Sequence, residues 1–460
     1  MPLPFTLPTT SSVLLSDYFS SATHPALPLH AATRRSVVKD ALKKHKRLSA
    51  QSRSTHLPTV QDALTSYIPY LLTLNTATSY RDVGAERVDV EVEKPLEVEW
   101  RTTLSASIPG REAARPKVTG LHHEVAFVLS TLGYVQSLLR TSTIATAMKH
   151  LLQAHSIFTY ILSLPTLSAA KNAPLDVQPA TISALASLAL AEATLIVVSK
   201  DDPYTAAVAE DRDETNRDWM FKAPTIPKVR AHLFARICLA AAEHATQACG
   251  LLTGNSAGKI DDDLTKYAND LRRTARGKAA RFLAIDTELS GKTGEGLAWL
   301  RGAKKELGLS VELEEGKRRG FKGLKQSWQE RREDRKVEKG GEWGLDAGRF
   351  EEARVVEMLE VKWDKENSTV NVQVVPPFEP LLANMPSGRE YHSRQVYQPP
   401  TLDADTLAQL RAPPEPTEYA FRGDEEDSGG EDSYRKNEPV GAFPGTGSEY
   451  SRSATASSYY

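Results

Sequence analysis

Two short stretches carry the residue types that catalysis would require. The first is LHHEVAF at 121–127. A zinc-protease helix places a second histidine four residues after the first, so both imidazoles share one face and the glutamate between them serves as base. Here His123 and Glu124 are followed at that position by Phe127, which leaves one imidazole and no zinc pair. The second stretch is SGKTGEG at 290–296. A phosphate-cradling loop needs a glycine five residues before the Gly-Lys-Thr, on a strand-to-helix turn. That position is Asp286, in helical text, so a turn between two helices is expected.

The remaining polar chemistry is sparse. The eleven histidines stand at no ligand spacing with Cys, Asp or Glu, and no Gly-x-Ser-x-Gly elbow occurs. No catalytic residue, metal or cofactor is therefore expected. KKHKR at 43–47 reads first as a solvated helix face, with a membrane or phosphate contact as the alternative. Cys238 and Cys249, if they share a helix, lie about 16 Å apart, beyond the roughly 7 Å a disulfide spans. Reduced thiols in a cytosolic protein follow. A net charge of −2 and a pI near 6.6 supply no field that would favour nucleic acid.

The elements around these residues are mostly helical. Segments 31–48 and 56–76 have apolar residues at helical spacing, with Pro69 as a possible kink in the second. Val88, Val90 and Val92 then alternate with acidic residues, Lys94-Pro95 turns the chain, and Leu96, Val98 and Trp100 alternate again. That pattern predicts a two-stranded hairpin with one buried face. Further helices are expected near 118–141, 143–164, 180–199, 226–253, 259–290, 293–307 and 348–362, with extended chain over 369–381. Mixed-charge text fills 308–365, and 326–334 is expected to end in solvent. After about 395 the chain is rich in Pro, Gly, Ser, Asp and Glu, which predicts a disordered tail over 396–460. Ser428 and Ser433 lie among its acidic residues, as parts of a solvating tail or as phosphorylation sites. The N-terminus has no basic region and two prolines break its apolar stretch, so no signal peptide is expected. The apolar run from Leu185 to Val198 falls short of a roughly 20-residue membrane span.

The helix at 226–253 carries two apolar stripes. Val229, Leu233 and Ile237 form one; Phe234, Cys238, Ala241 and Ala245 form the other. Either the helix is buried on two sides, or one stripe packs inward and the other receives a partner helix.

Several stretches, taken in order, resemble the Bro-type domain family. Glu124, Ala126, Val128, Leu129 and Gly133 match a family helix reading E-x-A-x-V-L-F-N-x-G-A-L. Leu185, Leu188, Ala189 and Ala191 match its L-x-x-L-A-Q-A-Q-E segment, and KTGEGLAWLRGA at 292–303 matches a turn and helix. KENSTVNVQVVPPFEPL at 365–381 is similar to its closing extended segment. Within the family, PFTLPTTSS, the text over 42–71 and EVEWRTTLSASIPGRE resemble the ambient-pH regulators of filamentous fungi. Ser130-Thr131 in place of the family's Phe-Asn pair, and a long insertion between Lys200 and Lys228, depart from the pattern.

The resemblance implies a mainly α fold: one elongated, solenoid-like helical domain over 1–395, with a TPR-like core and the small hairpin. It also implies a non-enzymatic adaptor of alkaline-pH signalling. Such an adaptor would connect a plasma-membrane pH-sensor complex to ESCRT-III, and indirectly to a calpain-like protease assembly that activates a transcription factor. The rival reading is a general endosomal, multivesicular-body sorting adaptor that binds ESCRT-III. Family patch residues that hold the C-terminal amphipathic helix of the ESCRT-III filament subunit fall on Leu195, Leu233 and Ile237. Burying each contributes about 1.5–3 kcal/mol, enough for micromolar binding before association costs. No Tyr-Pro-x-Leu-reading coiled-coil arm is expected, and the protein should be cytoplasmic, recruited through partners to plasma-membrane or endosomal sites.

Overall fold

The computed structural model describes residues 3, 5–79, 82–83, 87–106, 115–139, 143–165, 173–211, 224, 226–254, 258–309, 346–393 and 395–412. Within it Met1–Ala412 form one compact unit. The mixed-charge segment 310–345 and the chain from 413 onward, with Ser428 and Ser433, lie outside the described residues.

Helices α1 (Ala26–Arg47) and α2 (Ala50–Ala77) form the first antiparallel pair. Ser49 caps α2 by accepting from the Ser52 amide at 3.4 Å, and α2 runs as one helix through both Pro58 and Pro69. In KKHKR, the Lys43, Lys44, Lys46 and Arg47 side chains are exposed, whereas His45 turns inward to face His56 with ring centroids 5.8 Å apart.

The expected hairpin is not formed. Strand β1 (Phe19–Ser20) pairs antiparallel with β2 (Glu91–Val92), and β3 (Glu97–Glu99) pairs antiparallel with β4 (Lys117–Thr119). The registers are Phe19↔Val92 and Val98↔Val118, so the two alternating segments each take a partner from elsewhere in the chain. Alternation reported burial correctly for Val88, Val90, Leu96, Val98 and Trp100, while Val92 is 55% exposed. It carries no information on which strand lies opposite.

Beyond the sheets come α3 (Leu121–Leu138), α4 (Ile144–Ser163), α5 (Pro179–Lys200) and α6 (Tyr204–Asp211), then α7 (Lys228–Thr253), α8 (Asp262–Glu288), α9 (Thr293–Glu306) and α10 (Arg349–Glu366). The long helices stack in chain order, α3 on α4, α4 on α5, α5 on α7, α7 on α8 and α8 on α9. That is the arrangement short breaks between amphipathic helices favour. The SGKTGEG stretch is the turn from α8 into α9, with Gly291 in the left-handed region at φ 77°.

Glu124, in the stretch where the zinc-protease pattern fails, is a structural tie. It is fully buried and accepts from Arg35 Nε at 2.8 Å, Trp100 Nε1 at 2.6 Å and Tyr67 OH at 3.3 Å. Arg35 also donates to Thr10 Oγ1 at 2.7 Å and to the Ser11 carbonyl at 2.8 Å. One carboxylate thereby joins α1, α2 and α3 to the first extended segment and to the chain after β3. Gly133 sits where a Cβ would come within 2.6 Å of the Phe158 ring, so α3 and α4 approach closely only because the residue is glycine.

After α10 a π turn (Asn367–Asn371) leads into extended chain. Its polarity is inverted relative to a packed strand. Gln373 reaches inward to the Gly294 amide and the Gly291 carbonyl, and Asn371 to Thr293, while Val370, Val372 and Val374 are 76%, 77% and 89% exposed. The chain then passes through α11 (Glu379–Ala383) and returns across the helical body to α12 (Ala404–Leu410). Composition places residues 396–412 in the tail, whereas the structure includes them in the compact unit. Tyr397 packs edge-on against Tyr160, Leu407 and Leu410 are buried, and the Ala412 amide donates to the Thr23 carbonyl. A few apolar residues at the right positions suffice to seat a Pro-rich segment on a body already built.

Candidate partner-docking face

Helix α5 is buried on nearly every side from Thr181 to Leu195, which makes it the central helix of the middle of the stack. By length and composition alone it is apolar enough to cross a membrane, yet 83% of its apolar window is buried within the helical body. Leu195, at its exposed end, is 9% exposed. It lines a cavity of about 330 Å³ together with Ile196, Leu271, Lys278 and Glu352.

Helix α7 packs between α5 and α8. Phe234 meets Phe282 of α8 edge-on at 5.4 Å, and Cys238, Ala241 and Ala245 are buried, so the second apolar stripe is core. Burial pushes the Cys238 thiol up to about 12, which leaves it inert. The other stripe is graded: Val229 is 82% exposed, Leu233 is half-buried and Ile237 is 2% exposed. Both openings left by the sequence are therefore partly realised. The N-terminal end of the stripe faces out, and its middle is covered.

What lies on the middle of that face is the returning chain. The Arg389 amide donates to the Arg236 carbonyl at 2.9 Å, and Arg236 Nε donates to the Ser387 carbonyl at 3.1 Å. His244 contacts Glu390 at 3.0 Å, and His392 Nε2 lies 3.3 Å from the Ala193 carbonyl of α5. Gly388 lies so close to α7 that a Cβ would stand 2.7 Å from the Ala240 amide nitrogen. On a helix, positions 233, 236, 237, 240 and 244 share one face. Leu233 and Ile237 are thus brought onto one stripe, as the spacing required, whereas Leu195 opens into a cavity whose lining includes neither of them.

Beneath this region sits a four-charge cluster that sequence reasoning missed. Arg281 of α8 is fully buried between Asp202 and Glu352, at 2.5 Å from each, and Lys278 lies 3.4 Å from both carboxylates. Burial alone would raise the Asp202 carboxyl, but Arg281 and then Lys278 overcome it and hold it well below the usual range. The cluster fastens the start of α6 and the first turn of α10 to α8. Its signal in the sequence was Lys278 and Arg281 standing among Ala275, Ala279, Phe282 and Ile285, two charges on an otherwise apolar face. Glu192 is a second buried carboxyl, raised by desolvation and accepting from Tyr267 OH at 2.5 Å. Among the described residues no group of three or more His, Cys, Asp or Glu stands together as a metal site would.

Residues 85–384 match the family model described as BRO1-like domain. The chain belongs to that family. The pH-response regulator protein palC of Emericella nidulans (strain FGSC A4 / ATCC 38163 / CBS 112.46 / NRRL 194 / M139) is 43% identical over 502 residues, spanning 97% of this chain and 99% of that protein. Within the BRO1-like family the chain therefore stands with the pH-response regulators, which are regulatory adaptors and not enzymes. Among solved structures, ALIX in complex with the SIVmac239 PYKEVTEDL late domain has a TM-score of 0.54 at 14% identity, covering 88% of this chain and 49% of that one. The ALIX BRO1 CHMP4C complex has a TM-score of 0.51 at 13% identity, covering 87% and 96%. At such identities the likeness is one of fold, and it bears out the mainly helical BRO1-like architecture.

Proposed function

We propose that this BRO1-like chain is an adaptor of ambient alkaline-pH signalling that docks the C-terminal amphipathic helix of an ESCRT-III filament subunit on the outer stripe of α7. The observation that carries the reading is the relationship, over nearly its whole length, to a pH-response regulator. In support, a BRO1-like structure is known in complex with CHMP4C, and α7 of this chain presents Val229 and Leu233 outward. Aliphatic residues one turn apart match alternate turns of an incoming amphipathic helix. Through that contact the adaptor would link a plasma-membrane pH-sensing complex to ESCRT-III on the cytoplasmic side, and indirectly to a calpain-like protease assembly that activates a pH-responsive transcription factor. Ile237 contributes as the buried floor of the face, while Leu195, the third patch position, opens into the separate α5 cavity.

The test is titration of the full chain with a synthetic peptide of that ESCRT-III helix, read by fluorescence anisotropy. Leu233→Asp is compared with wild type after circular dichroism has shown equal helicity. Binding that Leu233→Asp weakens tenfold or more supports the reading, and equal binding by both removes α7 as the docking face.

A further inference from the structure

The strap at 385–393 lies across the stripe of α7 that the proposed function reserves for a partner. Three features set it apart from ordinary packing. Between the partly buried Met385 and His392 it is held by main-chain and rim contacts, not by buried side chains: the Arg389 amide to Arg236, the Ser387 carbonyl to Arg236, Glu390 to His244. Its own side chains at Ser387, Arg389, Glu390 and Tyr391 are exposed. Its approach to α7 depends on one residue without a side chain, Gly388 over Ala240. Beyond the strap, Tyr397 on Tyr160 is the next aromatic anchor, so the segment is tied at its far end and lightly held in its middle.

An extended segment with exposed side chains and few buried contacts belongs to the low-stability end of a structure and opens locally while the helices beneath stay folded. The body it rests on has no such freedom, since α5, α7 and α8 are packed on one another through buried apolar faces. We propose that the strap is a built-in competitor: closed, it covers the α7 stripe around Ile237 and Ala240, and open, it exposes an apolar face on which an amphipathic partner helix seats. The proposal rests on the partner reading above and adds its regulation. Opening uncovers the Ile237–Ala240 stretch to extend the outward-facing Val229 and Leu233. A closed fraction lowers apparent affinity by the fraction of open chain.

Two strap variants test it in the full-length chain, neither of them on α7. Gly388→Val places a branched side chain where a Cβ already meets Ala240, and Tyr397→Ala removes the far anchor. Both are titrated with the ESCRT-III helix peptide, and hydrogen exchange is followed at the Arg389 amide. Each variant should bind about tenfold more tightly than wild type, as a strap closed nine-tenths of the time requires. In wild type the Arg389 amide should exchange well before α7 does, and faster still with peptide bound. Equal affinities with binding intact overturn the strap and leave the partner reading standing. An Arg389 amide that exchanges only with global unfolding overturns the strap whatever the peptide does. Absence of peptide binding in all three proteins overturns the partner reading, and the competitor with it.

Discussion

Replacing Arg281 with leucine is the most demanding test of the energetics described above. The guanidinium is fully buried between Asp202 and Glu352, and removing it leaves two buried carboxylates with one ammonium, Lys278, 3.4 Å from each. Breaking a buried ion pair by removing one partner costs about 3–5 kcal/mol, chiefly the penalty of an uncompensated buried charge. Leucine fills part of the volume, so most of the loss is electrostatic. The assay is urea unfolding followed by far-ultraviolet circular dichroism at pH 7, and the expected loss is about 3–5 kcal/mol. The pH dependence separates charge from packing. Asp202 has a carboxyl held below its unfolded value, so it contributes stability present above that value and lost as pH falls through the folded one. In Arg281→Leu that contribution is missing at neutral pH, and the gap between the two proteins should narrow as pH falls towards 3. A loss under about 1 kcal/mol, or a gap that does not change with pH, would refute the account of the cluster as a charge lock.

Gly133→Ala should destabilise by about 1–3 kcal/mol in the same unfolding assay, because the added Cβ meets the Phe158 ring. Val372 is a β-branched residue with φ 47° and 77% of its surface exposed, so Val372→Gly should raise stability by about 1 kcal/mol, seen as an increase in urea midpoint. Burial, then His56 and Arg53, lower the His45 imidazole to about 4, so its contribution is present above the unfolded value near 6.5 and lost as pH falls from there towards 4. The melting temperature should therefore drop between pH 7 and pH 5 in wild type, and less steeply in His45→Gln. Leu233→Asp should keep wild-type circular dichroism, since that side chain is already half-exposed.

Helix placement was legible because the period of apolar residues is a local property. The segments expected near 143–164, 180–199 and 293–307 became Ile144–Ser163, Pro179–Lys200 and Thr293–Glu306. Strand pairing was not legible, because Val88–Val92 and Leu96–Trp100 announce a buried face and leave the partner to tertiary structure. β1 has only two residues, and β4 is a three-residue run just ahead of α3, neither long enough to show alternation. The buried charges were hidden for a related reason. Asp202 reads as a helix-end turn, and Glu352 as an acidic residue in a first helical turn, so nothing local says that Arg281 lies between them. The α7 stripe was visible as a stripe. That its middle is covered by a Pro- and Ser-containing segment about 150 positions later has no local signature at all.

If α7 docks a foreign helix as proposed, its composition accounts for one face taking either that helix or its own strap. Ala240 lies on the strap side, and alanines 235, 241, 242 and 245 are buried around the rest of the helix. Alanine keeps full helix propensity while leaving the backbone within reach of a neighbour. The strap exploits that reach with main-chain hydrogen bonds and a glycine, and those contacts read shape and not side-chain identity. A partner helix would exploit the same low relief with larger apolar residues, gaining area where the strap gains hydrogen bonds. The two occupants are therefore mutually exclusive on steric grounds at Gly388 and Ala240, yet comparable in energy. A few exposed hydrogen bonds of about 0.5–1.5 kcal/mol each are set against a few buried side chains of about 1.5–3 kcal/mol each, less the cost of association. Near-balance is the condition for a switch, and it predicts that strap substitutions shift partner affinity more than they shift the unfolding of the helical body.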